Sequence, residues 1–475
     1  MKTFDYIVVG SGPAGCVLAA RLSENPDTSV LLLEAGRATP PATVTHPPSW
    51  IDLADTDLLW PRGGDDHITP GRGRVLGGSS TVNAMVFLRG HHSSYDGWPP
   101  GWRFDDLLPY FQRIETANGR TRGTSGPLIV SPAAEPNPVL QAAIRAAAEV
   151  GHPLAADISG GWEEGFGFAD LTIVDGRRQS AADAYLSPAL GRPNLTVRTS
   201  AQVQRLLIAR QRCIGVEYLG GEEPVRVFTT GEVIVAAGTI GSPHLLMLSG
   251  IGPADSLRTH GIRPVADLPE VGANLQDHPL AGVVYESSQP VPAGTNNHGE
   301  AVGLVRSRAE LDHPDLQILL EDIPRGPVRS GYSITPSVML PFSRGSVELT
   351  SADPLDPPKV DARLLSDPRD LDTMVAGLRI AREIGRARAL DPWRGTEILP
   401  GPDADLRRYA YDSARTYFHP VGTCRIGGVV DTDLRVHGLA GLRIADASVL
   451  PTLPSANTNA TVYAIAEKAA DLIRG

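Results

Sequence analysis

The sequence predicts a mixed α/β protein. A parallel, dinucleotide-binding domain is joined to a second domain built on an antiparallel sheet. Three observations carry that prediction. Near the N-terminus a short apolar strand runs straight into a glycine-rich turn and a helix. The same order of strand, small-residue loop and helix returns at residues 231–253. Between residues 279 and 350 the pattern changes to alternating apolar and polar runs, such as Leu316 to Leu320 and Ser346 to Thr350, which read as antiparallel strands.

The first of these stretches is FDYIVVGSGPAG. Tyr6 to Val9 reads as a buried parallel strand, and Gly10, Gly12 and Gly15 follow with G-x-G-x-x-G spacing. Gly10 permits the tight turn, Gly12 lets a pyrophosphate come close to the backbone, and Gly15 lets the helix lie against the sheet. Pro13 falls in the first helical turn, where a missing N–H costs nothing. The helix N-terminus then offers free N–H groups and a positive dipole end to phosphates. A second apolar run, Ser29 to Leu33, ends at Glu34, placed to hold ribose hydroxyls. A lone glycine motif says little; here strand, helix, strand and acid fall in register. They indicate a dinucleotide without choosing between FAD and NAD.

Composition bounds the rest. A chain of 475 residues exceeds one simple core, so two joined domains are expected. Hydrophobic residues at 41% and charged residues at 20% describe an ordinary globular protein. A net charge of −11, with no basic run, argues against nucleic acid as a partner. No apolar stretch approaches the roughly 18 residues of a membrane span, and the early strand leaves no room for a secretory leader. Cys16, Cys213 and Cys424 are far apart and odd in number, which fits a reduced cytoplasm rather than a disulfide scaffold. No Cys/His cluster has metal-ligand spacing, and the adjacent His91 and His92 read as a polar loop pair.

Residues 37–70, rich in Pro, Thr and Asp, read as an extended excursion. Gly77, Gly78, Ser79 and Ser80 then form a second small-residue loop before the apolar run Ala84 to Leu88. Such a loop can pass close to a flat ligand, or be a plain turn. Pro138 to Val150 reads as an amphipathic helix, Asn194 to Ala209 as two strands, and residues 213–219 and 225–230 as a meander. Val233 to Ala236 is expected as a further strand. Ser242 before Pro243 is the expected N-cap of the helix that follows. Asp367 to Ala387 reads as a helix, Leu442 to Ala445 as a short strand, and Thr461 to Ile473 as the closing helix.

Two late segments hold the candidate chemistry. In TYFHPVGTCRIGG, His419 sits in a turn, and histidine is the side chain best suited to take a proton near neutral pH. In SANTNATVYAIAEKAADLI, Asn457 cannot exchange protons but can donate and accept a hydrogen bond. A base with a polar orienter suits removal of a hydroxyl proton while hydride leaves the adjacent carbon. By spacing alone a loop histidine can equally be structural. Tyr417 and Phe418 either line the pocket or belong to the core, with Trp60, Phe342 and Trp393 as weaker candidates.

Taken together, GSGPAG with Glu34, GRVLGGSSTVNAMV, AAGTIGSPHLLMLSGIGP, VGANLQDHP, YFHPVGTCRIGG, LRIADASVLP and SANTNATVYAIAEKAADLI resemble the glucose–methanol–choline (GMC) family of FAD-dependent oxidoreductases. The resemblance runs in order along nearly the whole chain and is weakest at about 280–345. It implies a Rossmann-like FAD-binding domain (1–150, with a flavin-covering loop at 60–100, 191–278 and 411–475). This would be interwoven with an antiparallel-sheet substrate domain (151–190 and 279–410). It implies FAD held by Gly10, Ser11, Gly12, Ala14, Gly15, Glu34 and Ala35 at the pyrophosphate and adenosine. Arg74 would be a further FAD contact, and Val203 would meet the adenine through its backbone. Gly77, Gly78, Ser79, Asn83 and Ala84 would run along the isoalloxazine. Asp446 and Ala447 would hold the ribityl-phosphate, and Thr458 and Asn459 would close the far edge beside Asn457. His419 matches the family's base and Asn457 its second catalytic position. No metal is implied. The expected reaction is oxidation of a primary alcohol, aliphatic or aromatic, to the aldehyde, with O2 or another acceptor; a hydroxynitrile lyase and a dehydrogenase not using O2 are the alternatives. Val82 stands where some members carry a histidine linked to FAD, so non-covalent FAD is expected. Ala84 stands where Gly is frequent, Glu270 replaces a usual Gly, and the compact segment from His278 to Pro341 implies a more open site.

Overall fold

The computed structural model describes residues 2–53, 56–61, 70–221 and 223–475. Thr3–Val9 (β1) and Val30–Leu33 (β2) pair in parallel, with Tyr6 opposite Val30 and Val9 opposite Leu33. Pro13–Leu22 (α1) crosses between them. Leu195–Arg198 extends the sheet beyond β2, and Pro224–Val235 and then Leu442–Ile444 extend it beyond β1, all in parallel at these contacts. Ile7, Val8, Val30, Leu32, Val233, Ile234, Val235 and Ile444 are fully buried. Parallel strands covered on both faces have no solvent side, so they read as unbroken apolar runs. On one side α1 packs against the last helix, Asn459–Arg474. The buried Glu467 of that helix accepts from Arg21 at 2.9 Å and from the Tyr185 hydroxyl at 2.9 Å.

Two expectations are corrected here. The strands expected at 225–230 and 233–236 are one strand, Pro224–Val235. Its first half pairs antiparallel with Arg212–Leu219, and its second half parallel to β1. Gly231 in the middle is not a break: a Cβ there would come within 2.5 Å of the Asp5 carbonyl oxygen, so glycine marks a close backbone approach. The following helix starts at Gly238, not after Ser242, and contains Pro243. Proline cannot donate to the carbonyl four residues earlier; that carbonyl, on Thr239, accepts from the Thr423 hydroxyl instead. Ser242 caps nothing and donates to Asp446 at 2.5 Å. Within 37–70, short turns of helix occur at Ala42–Thr45 and Pro47–Leu53, while positions 54, 55 and 62–69 lie outside the described residues.

The second sheet is antiparallel. Arg394–Leu399, Val283–Ser287, Gly331–Val338, Leu316–Glu321, Ala301–Val305 and Gly165–Phe168 follow one another across it. Its alternation has a specific meaning. Leu316, Ile318, Leu320 and Ile334 face a core shared with the helices Pro138–Glu149 and Pro368–Arg386. Leu319, Glu321 and Thr335, on the opposite parity, line a cavity. Pro279–Leu280 adds to the edge of this sheet, pairing with both Gly331–Val338 and Arg415–Thr416. Among the described residues no helix is long and apolar enough to cross a membrane, and no group of His, Cys, Asp and Glu side chains could hold a metal ion.

Candidate active site

A continuous cavity of about 1200 Å3 runs from the glycine turn to the antiparallel sheet. Its nucleotide end is built from backbone. Gly12 caps α1 without any side-chain hydrogen bond, so the first N–H groups of the helix stay free. A Cβ on Gly12 would meet nothing within 4 Å, whereas one on Gly78 would lie 2.6 Å from the Gly12 Cα. The two small-residue loops therefore touch backbone to backbone. Glu34 accepts from the Ser11 N–H at 2.9 Å, the Ser11 hydroxyl at 2.6 Å and the Gly36 N–H at 2.7 Å. Burial pushes its carboxyl up from the ordinary range against those bonds. Arg74 lies over Trp60 with its centre 4.9 Å from the ring, and its buried Nε has no partner among the described residues. An uncapped helix end, an approachable glycine and an orphaned guanidinium nitrogen in one cavity fit a dinucleotide.

Further along, Asp446 accepts from the Gly238 N–H at 2.9 Å and the Ser448 N–H at 2.8 Å, which bolts the end of Leu442–Ile444 to the start of Gly238–Leu248. Arg178 donates to the Asn83 side-chain oxygen at 2.7 Å and fixes that loop. Of the residues expected around FAD, all but two line the cavity. Gly15 lies beneath it, where a Cβ would sit 1.8 Å from the Gly10 carbonyl oxygen. Gly77 turns the loop at φ 89°, where a Cβ would strike the Thr81 hydroxyl.

At the other end, His419 and Asn457 meet. Asn457 Nδ2 lies 3.1 Å from His419 Nε2, and each residue is 8% exposed. The segment around Gln276–Leu280 runs antiparallel to 415–421, with Gln276 bridging Val421 and Tyr417 N–H donating to the His278 carbonyl at 2.9 Å. Asp277 clamps the intervening turn: it accepts from the His419 N–H at 2.9 Å and from the Thr416 hydroxyl. That turn forces Phe418 to φ 63°, a conformation disfavoured for a bulky residue. Burial pushes the Asp277 carboxyl up to about 7, against the hydrogen bonds that favour its charged form.

The hydrogen bonds also fix tautomers. His278 Nε2 lies 3.1 Å from the Met339 carbonyl oxygen, which can only accept, so Nε2 carries the proton. Neutral His278 then accepts at Nδ1 from His419 Nδ1, 2.9 Å away. This leaves His419 Nε2 with its lone pair directed at the Asn457 amide N–H. Gln317 Nε2 approaches Asn457 Oδ1 at 3.4 Å and supports that orientation. Burial, then the neighbouring His278, hold His419 well below its ordinary value of 6.5; burial pushes His278 down to about 3. The arrangement can take one proton at one nitrogen facing the cavity.

Tyr417, Phe418 and Trp60 line the cavity, while Phe342 and Trp393 do not. His91, read as half of a polar loop pair, is 6% exposed, and burial pushes it down to about 4. Asp277, His278, Gln317 and Arg178 were not anticipated. The first two lie inside VGANLQDHP, where a carboxylate beside a histidine was a usable signal; Gln317 and Arg178 carry no local signal.

Profiles described as GMC oxidoreductase match residues 4–280 and 341–466. An oxygen-dependent choline dehydrogenase of Pseudomonas aeruginosa (strain LESB58) is 39% identical across 100% of this chain and 95% of its own length. The mitochondrial choline dehydrogenase of Mus musculus is 38% identical across 99% of this chain and 89% of its own. Among solved structures, pyridoxine 4-oxidase from Mesorbium loti superposes with a TM-score of 0.95 at 35% identity over 99% of both chains. A fungal aryl-alcohol oxidase superposes with a TM-score of 0.86 at 26% identity over 100% of this chain and 99% of the other.

Proposed function

The chain belongs to the GMC oxidoreductases, FAD-dependent enzymes that oxidise alcohols, and from that premise we propose that His419 is the base and Asn457 the orienting group for a primary alcohol. The single observation behind this is the 3.1 Å contact between Asn457 Nδ2 and an unprotonated His419 Nε2 on the cavity wall. A substrate hydroxyl entering there replaces one partner of each. His419 accepts the hydroxyl proton at Nε2, and the Asn457 amide N–H holds the oxygen as it becomes a carbonyl. His278, accepting from Nδ1, keeps the ring in the tautomer that can do this. When bound, FAD supplies the two-electron acceptor for the hydride that leaves the carbinol carbon.

In the same reading Gly10, Ser11, Gly12 and Ala14 receive the pyrophosphate and Glu34 the adenosine ribose; Asn83, Ala84, Asp446, Ala447 and Thr458 hold the flavin half. Residues 1–150, 191–278 and 411–475 form the FAD-binding domain around 151–190 and 279–410. Val82 has no nucleophilic atom, which supports non-covalent FAD; acid precipitation should release the flavin. The buried free thiols Cys16, Cys213 and Cys424 support a cytoplasmic protein. The named relatives are dehydrogenases and oxidases, which favours oxidation over cyanohydrin cleavage. Peroxide formation in air decides between O2 and another acceptor. For the base itself, His419→Ala should slow anaerobic flavin reduction by about a hundredfold or more, and near-normal reduction would refute the assignment.

A further inference from the structure

Glu321 ends the strand Leu316–Glu321, and Arg325 lies four residues on. Arg325 Nε and Nη2 donate to Glu321 Oε1 at 2.8 and 2.6 Å, and the Thr335 hydroxyl donates to Glu321 Oε2 at 2.8 Å. Both carboxylate oxygens are engaged, and the Glu321 side chain is 4% exposed. The Arg325 side chain is 41% exposed, and its Nη1 has no partner among the described residues. Its guanidinium lies over Trp50, 5.4 Å from the ring centre. Trp50, Glu321, Arg325 and Thr335 line the same cavity as His419. Tyr417 lines this cavity too, with its ring 4.2 Å from that of His419.

The wall carries further cations. Arg415, exposed beside Tyr417, has no carboxylate partner among the described residues. Glu34 and Asp446 are committed to backbone N–H groups at the nucleotide end, and Asp356 accepts from the Ser351 hydroxyl. The substrate end therefore presents a cation with free N–H donors and no uncommitted carboxylate. A cation leaves water for an aromatic face most readily where no other cation competes for it. Here the one carboxylate is covered, the Trp50 face is shared with Arg325, and the half-exposed Phe418 ring has the Arg415 cation three residues away in the chain.

We propose that Arg325 determines specificity by receiving an anionic group of the primary alcohol, and that the site discriminates against quaternary ammonium alcohols. This rests on the alcohol-oxidation reading. The substrate anion meets Nη1 while Glu321 holds the other edge of the guanidinium in place. The hydroxyl end of the same molecule is then directed along the cavity toward Tyr417 and His419. Arg325 lies between residues 281 and 340, outside both stretches matched by the family profiles, where this chain's own requirements are expected to show.

The test compares three probes on the holoenzyme under anaerobic conditions, following flavin bleaching: choline, benzyl alcohol and para-(hydroxymethyl)benzoate. The carboxylate-bearing alcohol should have a KM about tenfold or more below that of benzyl alcohol, and choline the lowest kcat/KM. Arg325→Met should remove most of the preference between the two aromatic alcohols, chiefly through KM, and Arg325→Lys should retain most of it. Calorimetric binding of benzoate, weakened at least about tenfold in the Met variant, reads the same contact without turnover. A preference for choline, or equal KM values for the two aromatic alcohols in the unmutated protein, overturns the proposal while leaving alcohol oxidation intact. Bleaching by no alcohol overturns both.

Discussion

His419 is useful because its two ring nitrogens meet different neighbours. Nδ1 is spent on His278, so only Nε2 remains to accept a proton. The depressed value has a defined sign: a base held below 6.5 stays neutral through that pH and is lost only as pH falls through its own lower value. The acid limb of flavin reduction should therefore lie below 6.5, and a limb above it would contradict the burial argument. His278→Leu removes the acceptor that fixes the His419 ring through Nδ1. Flavin reduction should fall about tenfold; a rate within about twofold would show His278 to be packing alone. Asn457→Ala should cost less than His419→Ala, since it removes orientation and leaves proton transfer.

At the scale of elements, the nucleotide end depends on close backbone packing rather than on side chains. Gly78 has φ 55° and faces the Gly12 Cα across the junction of the two small-residue loops. Gly78→Ala must open that junction, because the clash is with backbone that has no rotamer to yield. A loss of about 1–3 kcal/mol in stability is expected, together with a lower flavin-to-protein ratio after purification. A variant with unchanged melting and full flavin would show that the loops part without cost. The long strand Pro224–Val235 makes a similar point: its glycine marks contact, although sequence alone reads it as a break.

At the scale of the molecule, the cavity is walled by both sheets, so ligand and fold are coupled. FAD bound to the native state at about a thousandfold above its Kd should add about 4 kcal/mol, and thermal melts with and without flavin measure it. The parallel start, the glycine turn, Glu34 and the His419–Asn457 pair were all legible, because each rests on local spacing or on long family blocks. Ser242 misled because a serine before a proline has the signature of a cap, and only the distant Asp446 shows what it bonds. His278, Gln317 and Arg325 were not legible as site residues: their roles depend on partners 141, 140 and, for Arg325, a tryptophan some 275 positions away, which no periodicity encodes.

The segment at 415–421 and the pieces after it have one more consequence. Arg415–Thr416 completes the antiparallel sheet, Leu442–Ile444 extends the parallel one, and Asn457 finishes the cavity just before the last helix. The wall at both ends thus waits for the final eighth or so of the chain, long after β1 has been made. During synthesis from the N-terminus, an unfinished chain has the glycine turn but no closed pocket. Flavin loading should therefore follow synthesis of this last part, and a product terminated before residue 415 lacks the base. Such a truncated chain should not reduce flavin with an alcohol.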